Sequence, residues 1–217
     1  MNSVPIFCGH VLRLQIGEAL PFAREQVSAI NKAAVEQVQV TRQGIVGDEQ
    51  ADTFFHGGAM QAVHQMPSTV YDLIGQHFPM VPNYLGILGE NLIVSDMNEN
   101  NVCIGDVYQI GSVQLQVTRP RRPCWKIDSQ LNKSGIAKFL QDHGCVGWYY
   151  RVLQAGDMTR GDDCQRIARV AEFATLTRLW QIYNDASFCD AAEIAQWLAL
   201  DALEKSFKDK LRKRLKA

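Results

Sequence analysis

The sequence lacks the motifs by which most redox proteins hold their own electron carriers. Its six cysteines form no C-x-x-C pair, no zinc-finger spacing and no iron–sulfur cluster motif. The G-x-G-x-x-G fingerprint of dinucleotide-binding folds is also missing. These absences argue against a zinc finger, an iron–sulfur protein and a nicotinamide-dependent dehydrogenase, and we expect most of the cysteines to be small buried hydrophobic residues.

The sequence also has almost no charge imbalance and no long apolar run. Its formal net charge is −1, which favours neither nucleic acid nor an anionic membrane as a partner. No apolar segment approaches the roughly 20 residues that a membrane-spanning helix needs, and the first residues lack a signal-peptide pattern. We therefore expect a cytoplasmic globular protein whose partners include no membrane and no nucleic-acid polymer.

Short strands are predicted along the first three quarters of the chain. Val113, Leu115 and Val117 alternate with glutamines, and Gly111-Ser112 suits the two-residue turn of a hairpin. The other predicted strands are 38–40, 91–94, 107–110, 148–153 and 164–168. Many short strands interrupted by helices indicate a mainly β fold with some α structure, closed like a barrel.

Two helices are predicted between these strands. The first covers 68–77, where Val70, Leu73 and Ile74 share one face. The second covers 134–143, and Gly144 suits its C-terminal stop.

The pattern changes after about residue 168. Apolar residues recur at helical spacing from Val170 to Tyr183, and Asp190 suits the N-cap of a helix over 191–200. A third helix is predicted where leucine or phenylalanine recurs every four residues from Leu203 to Leu215. We predict a β-barrel domain over 1–168 and a small three-helix domain over 169–217. The basic end of the last helix is interpreted as a solvated helix face.

One segment near the middle of the chain brackets a cysteine with cations. Arg119, Arg121 and Arg122 precede Cys124, and Lys126 follows it. A cation a few ångströms from a cysteine favours the thiolate, which binds soft metals and attacks electrophiles. Cys124 is therefore the first candidate for a catalytic or metal-binding residue, and the residues alone leave both roles open. The arginines are candidates to bind a phosphate.

Glycine-containing segments upstream of Cys124 could cradle a ligand. Gly57 and Gly58 follow His56, and a second glycine segment continues into Glu90 and Asn91. Glycines let a backbone approach a ligand closely, and a histidine can shuttle a proton near neutral pH. Glu90 and Asn91 could accept hydrogen bonds from the nitrogens of a heterocycle. Turns and a buried core histidine explain the same segments equally well when each is taken alone.

Taken in order, these segments resemble the MOSC-domain family and, within it, the YiiM type. The matching segments are 44–48, 56–58, 89–92, 104–106 and 120–126. The likeness covers roughly residues 5–168, and the three-helix tail is similar to the small C-terminal domain of YiiM-like proteins.

The resemblance implies a fold, a cofactor and a metal ligand. MOSC domains are β-barrel modules that bind the molybdenum cofactor, in which molybdenum is held by molybdopterin, or that handle sulfur for it. In enzymatic members one protein cysteine completes the coordination of molybdenum, and the matching residue is Cys124. The predicted cofactor site is His56, Gly57, Gly58, Glu90, Asn91, Arg119, Arg121, Arg122, Cys124 and Lys126.

The resemblance also implies a reaction. YiiM-like proteins are associated with the reduction of N-hydroxylated compounds, including the toxic base analogue hydroxylaminopurine, to amines. His56 is the first choice as proton donor, with Lys126 or His64 as substitutes. Because the chain has no electron-carrier motif, the electrons are expected from an external flavoprotein. Pairing of two chains into a homodimer is left open.

Three alternatives keep Cys124 and change its role. The chain could be a sulfur carrier or transferase with a persulfide on Cys124, although no pyridoxal-phosphate domain is recognisable beside it. It could deliver the cofactor without turnover. It could be a metal-free hydrolase, in which a Cys–His pair would be needed.

Overall fold

A β-barrel forms the centre of the computed structural model, which describes residues 4–51, 57–82, 84–185, 187 and 189–215. The strands are β1 (Ile6–Ile16), β2 (Leu20–Pro21), β3 (Val27–Ser28), β4 (Ala33–Val35), β5 (Gln37–Thr41), β6 (Gly44–Ile45), β7 (Val63–Pro67), β8 (Leu92–Val94), β9 (Val107–Ile110), β10 (Val113–Pro120), β11 (Trp148–Gln154), β12 (Gly156–Thr159) and β13 (Asp163–Ala168). The helices are α1 (Val70–His77), α2 (Trp125–Gln130), α3 (Ile136–His143), α4 (Leu176–Asn184), α5 (Ala191–Ala199) and α6 (Lys205–Arg214).

Seven of these strands close the barrel. Their order is β13-β9-β10-β11-β7-β8-β1, and antiparallel pairing of β1 with β13 completes the ring. The one parallel contact in this ring joins β7 to β8. A short sheet, β12-β5-β6, and a two-stranded ribbon, β2-β3, lie outside the ring. The predicted closed β fold with additional helices is therefore confirmed.

The hairpin that leads to the cysteine segment forms as predicted. Ile110 pairs with Val113, and Gly111 has a φ of 54°, a conformation that glycine adopts without steric cost. The apolar residues of β10 point into the barrel and are buried. The strand continues past the predicted end because Arg119 and Pro120 still pair with β11.

The two helices predicted between the strands are present as α1 and α3, and one residue of α1 differs from the prediction in its burial. α1 begins at Val70, and Tyr71 rather than Leu73 packs inward with Ile74. Leu73 is 38% exposed, while the hydroxyl of Tyr71 reaches a buried carboxylate inside the protein. The stop at Gly144 is confirmed, since this residue has a φ of 68° at the end of α3.

The strands β1 and β7 were not predicted from the sequence. β1 is 11 residues long and contacts three other strands. Its pairing shifts register between Phe7 and Gly9 and again between Val11 and Arg13. Each shift breaks the alternation of buried and exposed side chains, which is the pattern by which a strand is recognised in a sequence.

The three predicted C-terminal helices are present, with one boundary corrected. Asp190 caps α5 by accepting a hydrogen bond from the backbone nitrogen of Glu193 at 2.8 Å. α4 starts only at Leu176, since Val170 is 62% exposed and lies in the connection that follows β13. In the described part of the chain, no helix combines the length and the hydropathy needed to cross a membrane.

The helices and the barrel share one hydrophobic core. Leu179, Trp197 and Phe207 belong to the same buried cluster as Val117 and Trp148 of the barrel. The backbone also joins the two parts, because the nitrogen of Glu204 donates to the carbonyl of Thr118 at 3.1 Å. The domain boundary at residues 168 and 169 stays a prediction.

We expect Phe207→Ala to lower the free energy of unfolding of the whole chain by about 3–5 kcal/mol. Phe207 is fully buried between α6 and the barrel, so its loss leaves a cavity in the shared core. Urea unfolding followed by circular dichroism should remain a single transition. Leu215→Ala is the control, with an effect within about 0.5 kcal/mol because Leu215 is 44% exposed. A separate early transition for the helices would contradict the shared core.

Candidate functional site

A pocket opens beside Cys124 where β10 ends. It encloses about 690 Å³, part of which is open to solvent. The chemically active side chains on its wall are Lys32, Asp48, Glu49, Gln61, His64, Asn91, Arg121, Cys124, Lys126 and Tyr149. The pocket therefore gathers one thiol and three cations from segments that are far apart in the sequence.

The backbone on both sides of Cys124 is fixed. Upstream, the nitrogen of Arg121 donates to the carbonyl of Gly147 at 2.9 Å, which extends the pairing of β10 with β11. Next to the cysteine, the carbonyl of Pro123 accepts from Nε2 of Gln141 at 2.8 Å. Downstream, Cys124 is the N-cap of α2, and its carbonyl accepts from the nitrogen of Ile127 at 3.1 Å. The thiol is therefore presented to the pocket by a rigid segment.

The other cysteines have a different environment. Cys103 and Cys164 are fully buried, whereas Cys8, Cys145 and Cys189 are half-buried, so the prediction that most of the cysteines are buried is wrong. Burial raises the pKa of Cys103 and of Cys145 to about 11, so both remain thiols at neutral pH. All six cysteines are free, and within the described ranges Cys124 alone among them lines the pocket.

Three cations face the pocket. Arg121 is buried, and its Nη1 donates to the carbonyl of Leu88 at 2.7 Å. Nζ of Lys126 donates to the carbonyl of Val27 in the β2-β3 ribbon at 3.3 Å. Lys32 forms an ion pair with Asp48, which also lines the pocket, and burial lowers the pKa of this lysine.

Arg119 and Arg122 are not on the pocket wall, and their predicted contact with a cofactor stays a prediction. Nη1 of Arg119 lies 3.5 Å from Glu204, and its guanidinium lies 4.9 Å from the ring centre of Phe207. Nη1 of Arg122 lies 3.5 Å from the hydroxyl of Tyr183. Both cations therefore face the C-terminal helices, whereas Arg121 faces the pocket.

Glu90 also has a different environment from the predicted one. It is fully buried, and its carboxylate accepts hydrogen bonds from the hydroxyl of Tyr71 and from the nitrogen of Leu88. Burial raises the pKa of Glu90. The carboxylate supports the loop that carries Leu88, whose carbonyl binds Arg121, and it does not line the pocket.

Asn91 and His64 lie on the pocket wall and support each other. Oδ1 of Asn91 accepts from the backbone nitrogen of His64 at 3.1 Å. Nδ1 of the His64 ring lies 3.4 Å from the carbonyl of Gly89, and the ring centre lies 4.9 Å from that of Tyr149. The amide of Asn91 is thus occupied by backbone groups, whereas the ring of His64 takes part in the wall itself.

The predicted glycine cradle is described only in part. Gly57 lines the pocket with a φ of 127°, and a Cβ atom there would lie 2.0 Å from Oε1 of Gln50. Gly58 precedes the 3-10 turn Ala59–Gln61 and is not on the wall. His56 lies outside the described residues, so its proton-transfer role stays a prediction.

Several wall residues were not singled out from the sequence. Asp48 ends the segment 44–48 that resembles the family, which was a usable signal. Tyr149 pairs in register with His64 across β11 and β7, and β7 was not predicted. Lys32 lies in a segment without a recognisable motif, and only the folded chain brings it to the pocket.

Comparison with known proteins identifies the family. The family model described as the MOSC domain matches residues 52–165, more than half of the chain. The chain belongs to the MOSC-domain family. Protein YiiM of Escherichia coli (strain K12) is 32% identical over 159 residues, which are 72% of this chain and 71% of that protein. The predicted membership of the YiiM type is therefore confirmed.

Two further likenesses concern the fold and a named activity. The crystal structure of YiiM from Geobacillus stearothermophilus has a TM-score of 0.81 and 25% sequence identity, covering 95% of this chain and 98% of that one. A protein named Reductase from Gibberella moniliformis is 39% identical over 129 residues. Those residues are 58% of this chain but 23% of that much longer protein.

Cys145 should react with iodoacetamide only slowly at about pH 8, and its rate should rise about tenfold per pH unit. The reason is that only the thiolate reacts, and the pKa of this cysteine lies at about 11. Peptide mass spectrometry after timed labelling measures the rate at each cysteine. Cys124, which lines an open pocket, should be labelled before Cys145. Labelling of Cys145 at the rate of a free cysteine at about pH 8 would contradict its burial.

Proposed function

We propose that the chain is a molybdenum-cofactor-dependent reductase that converts N-hydroxylated bases and related hydroxylamines to amines. The observation that carries the proposal is a single thiol, Cys124, on the wall of a pocket that also holds three cations. A soft metal favours a thiolate ligand, and an anionic organic cofactor favours surrounding cations.

A single protein ligand, Cys124, fits a metal whose other ligands belong to its cofactor. A bare structural or catalytic ion usually takes three or four protein ligands. Within the described residues, no group of three or more histidine, cysteine or acidic side chains could hold an ion. One cysteine beside a large pocket suits molybdenum that is already bound to the sulfurs of molybdopterin.

The pocket also fits the phosphate of such a cofactor. Arg121 and Lys126 flank Cys124 in sequence, and both line the pocket together with Lys32. Gly57 leaves a bare stretch of backbone on the same wall. These groups would hold an anion, while Asp48 keeps Lys32 in place through their ion pair.

The reaction consumes two electrons and two protons, so that R–NHOH becomes R–NH2 and water. Bound molybdenum cofactor supplies the redox chemistry. Cys124 would hold the metal through Sγ. Nζ of Lys126 and the ring of His64 are two described groups on the wall that could donate a proton to the leaving hydroxyl.

The relatives support the reaction class in a limited way. One relative is named a reductase, but the chain matches less than a quarter of its length. The electrons are proposed to come from an external flavoprotein, because the sequence holds no motif for a flavin, a nicotinamide or an iron–sulfur cluster of its own.

We expect Cys124→Ser to abolish hydroxylamine reduction and to lower the molybdenum bound per chain. The hydroxyl of serine is a poorer ligand for a soft metal than a thiolate. The protein should be purified from cells that make the cofactor, and metal and pterin should be measured per chain. Turnover of hydroxylaminopurine with a chemical reductant provides the second measurement.

Cys145→Ser is the matched control, since Cys145 is free, half-buried and absent from the pocket wall. It should keep wild-type metal content and turnover. A wild-type protein without molybdenum would contradict the proposal. Bound cofactor without turnover would instead favour a delivery module, and a persulfide on Cys124 would favour a sulfur carrier.

A further inference from the structure

A cationic surface lies behind the Cys124 segment, on the side away from the pocket. We call it the α6 surface and define it as Arg122, Lys210, Lys213 and Arg214. α6 holds six lysines and arginines and one aspartate, a formal charge of +5, whereas the whole chain carries −1. The remaining residues therefore sum to −6, and positive charge is concentrated at this one element.

Three of these cations converge on one residue, Tyr183. Nζ of Lys210 lies 3.5 Å from the ring centre of Tyr183, and Arg122 Nη1 lies 3.5 Å from its hydroxyl. Arg214 donates to the backbone carbonyl of the same tyrosine at 2.7 Å. Burial lowers the pKa of Lys210, and the charges of Arg214 and Arg122 lower it further against the opposing effect of Tyr183.

The acids nearby already have partners within the chain. Oδ1 of Asp185 accepts from the nitrogen of Ser187 at 2.8 Å, and this hydrogen bond, together with the charge of Arg214, lowers the pKa of Asp185. Asp209 pairs with Lys205 and Arg212 on α6 itself. Glu204 pairs with Arg119. In the part of the chain that the structure describes, Lys210 and Lys213 form no ion pair. The charges of Arg214 and Arg122 repel Lys210, and an anionic partner would relieve this repulsion.

The α6 surface is joined to Cys124 by a short connection. Arg122 precedes Cys124 by two residues, a span of at most about 7.6 Å between Cα atoms. A second route begins at Tyr183, whose ring stacks on Trp180 with centres 5.7 Å apart. Nε1 of Trp180 donates to the carbonyl of Gln141, and Nε2 of Gln141 donates to the carbonyl next to Cys124. A partner bound at this surface would therefore lie close to Cys124, the proposed metal ligand.

Two other classes of partner fit this surface poorly. A membrane-surface helix needs an exposed apolar face, and the apolar residues of α6, Phe207 and Leu211, are fully buried in the core. Binding of single-stranded nucleic acid needs exposed aromatic rings for base stacking. The ring of Tyr183 is instead covered by Lys210 and stacked on Trp180.

We propose that the α6 surface is the docking site of an acidic flavoprotein that supplies the electrons. This inference rests on the proposed reductase function. The reduced flavin of the partner would give up two electrons and become oxidised, and two protons would come from solvent. R–NHOH would accept both electrons and both protons, its N–O bond would break, and R–NH2 and water would leave.

The test reverses two charges of the α6 surface in the full-length chain. Lys210→Glu with Lys213→Glu changes the surface by four charge units, and neither residue lines the pocket. The control, Arg42→Glu with Lys133→Glu, makes the same change at two exposed sites on other elements. Circular dichroism verifies that both variants are folded.

The probe is a purified, acidic, NADPH-dependent FMN reductase. Surface plasmon resonance at about 50 mM and about 300 mM salt should show wild-type binding that weakens with salt. The α6 variant should bind about tenfold or more weakly at low salt, and the control should bind like the wild type. Turnover with chemically reduced methyl viologen should be equal in all three proteins.

Unchanged binding in the α6 variant, or an equal loss in the control, would overturn the docking site. Tighter wild-type binding to duplex DNA or to phosphatidylserine vesicles than to the reductase would overturn it as well. Failure of the cofactor-loaded wild type to turn over with reduced methyl viologen would instead disprove the reductase function itself, so the two failures are distinguishable.

Discussion

The pairing of the end of β10 with β11 is the constraint on which the site depends. It continues beyond the last strand residue, because the nitrogen of Arg121 still donates to Gly147. This bond fixes the backbone just before Cys124, while α2 fixes it just after. The same pairing brings Tyr149 to the pocket beside His64. A thiol on a freely moving loop would lose conformational entropy when it bound a metal, and this one has been ordered by folding.

The segment 119–126 contributes cations both to the pocket and to the interface with the C-terminal helices. Arg121 reaches the pocket, whereas Arg119 and Arg122 reach the C-terminal helices. Burial lowers the pKa of Arg119 because it disfavours the charged form. The ion pair with Glu204 and the contact with the ring of Phe207 stabilise the charged guanidinium at this interface. The helices thus complete the core of the barrel and also form the back of the cysteine segment, which links the proposed site of chemistry to the proposed site of electron entry.

Local patterns in the sequence predicted the elements that obey simple rules. The β9–β10 hairpin, the stop at Gly144 and the cap at Asp190 all depend on residues close in sequence. β1 was missed because its register shifts disrupt the alternation, and Lys32 was missed because only long-range folding brings it to Cys124. The directions of the arginines also depend on distant partners. The family resemblance supplied the cofactor hypothesis, which the chain's own charge pattern could not specify.

The segment 119–126 divides its cations between the pocket and the C-terminal helices. Lys126 and Arg122 each lie two residues from Cys124, one on either side, and only Lys126 lines the pocket. The direct measurement is the dissociation constant of the molybdenum cofactor for Lys126→Met and for Arg122→Met. Loss of one charge-assisted contact should weaken binding about tenfold or more in Lys126→Met, with wild-type binding in Arg122→Met. An equal loss of affinity in the two variants, or a larger loss in Arg122→Met, would show that the cations are not divided in this way.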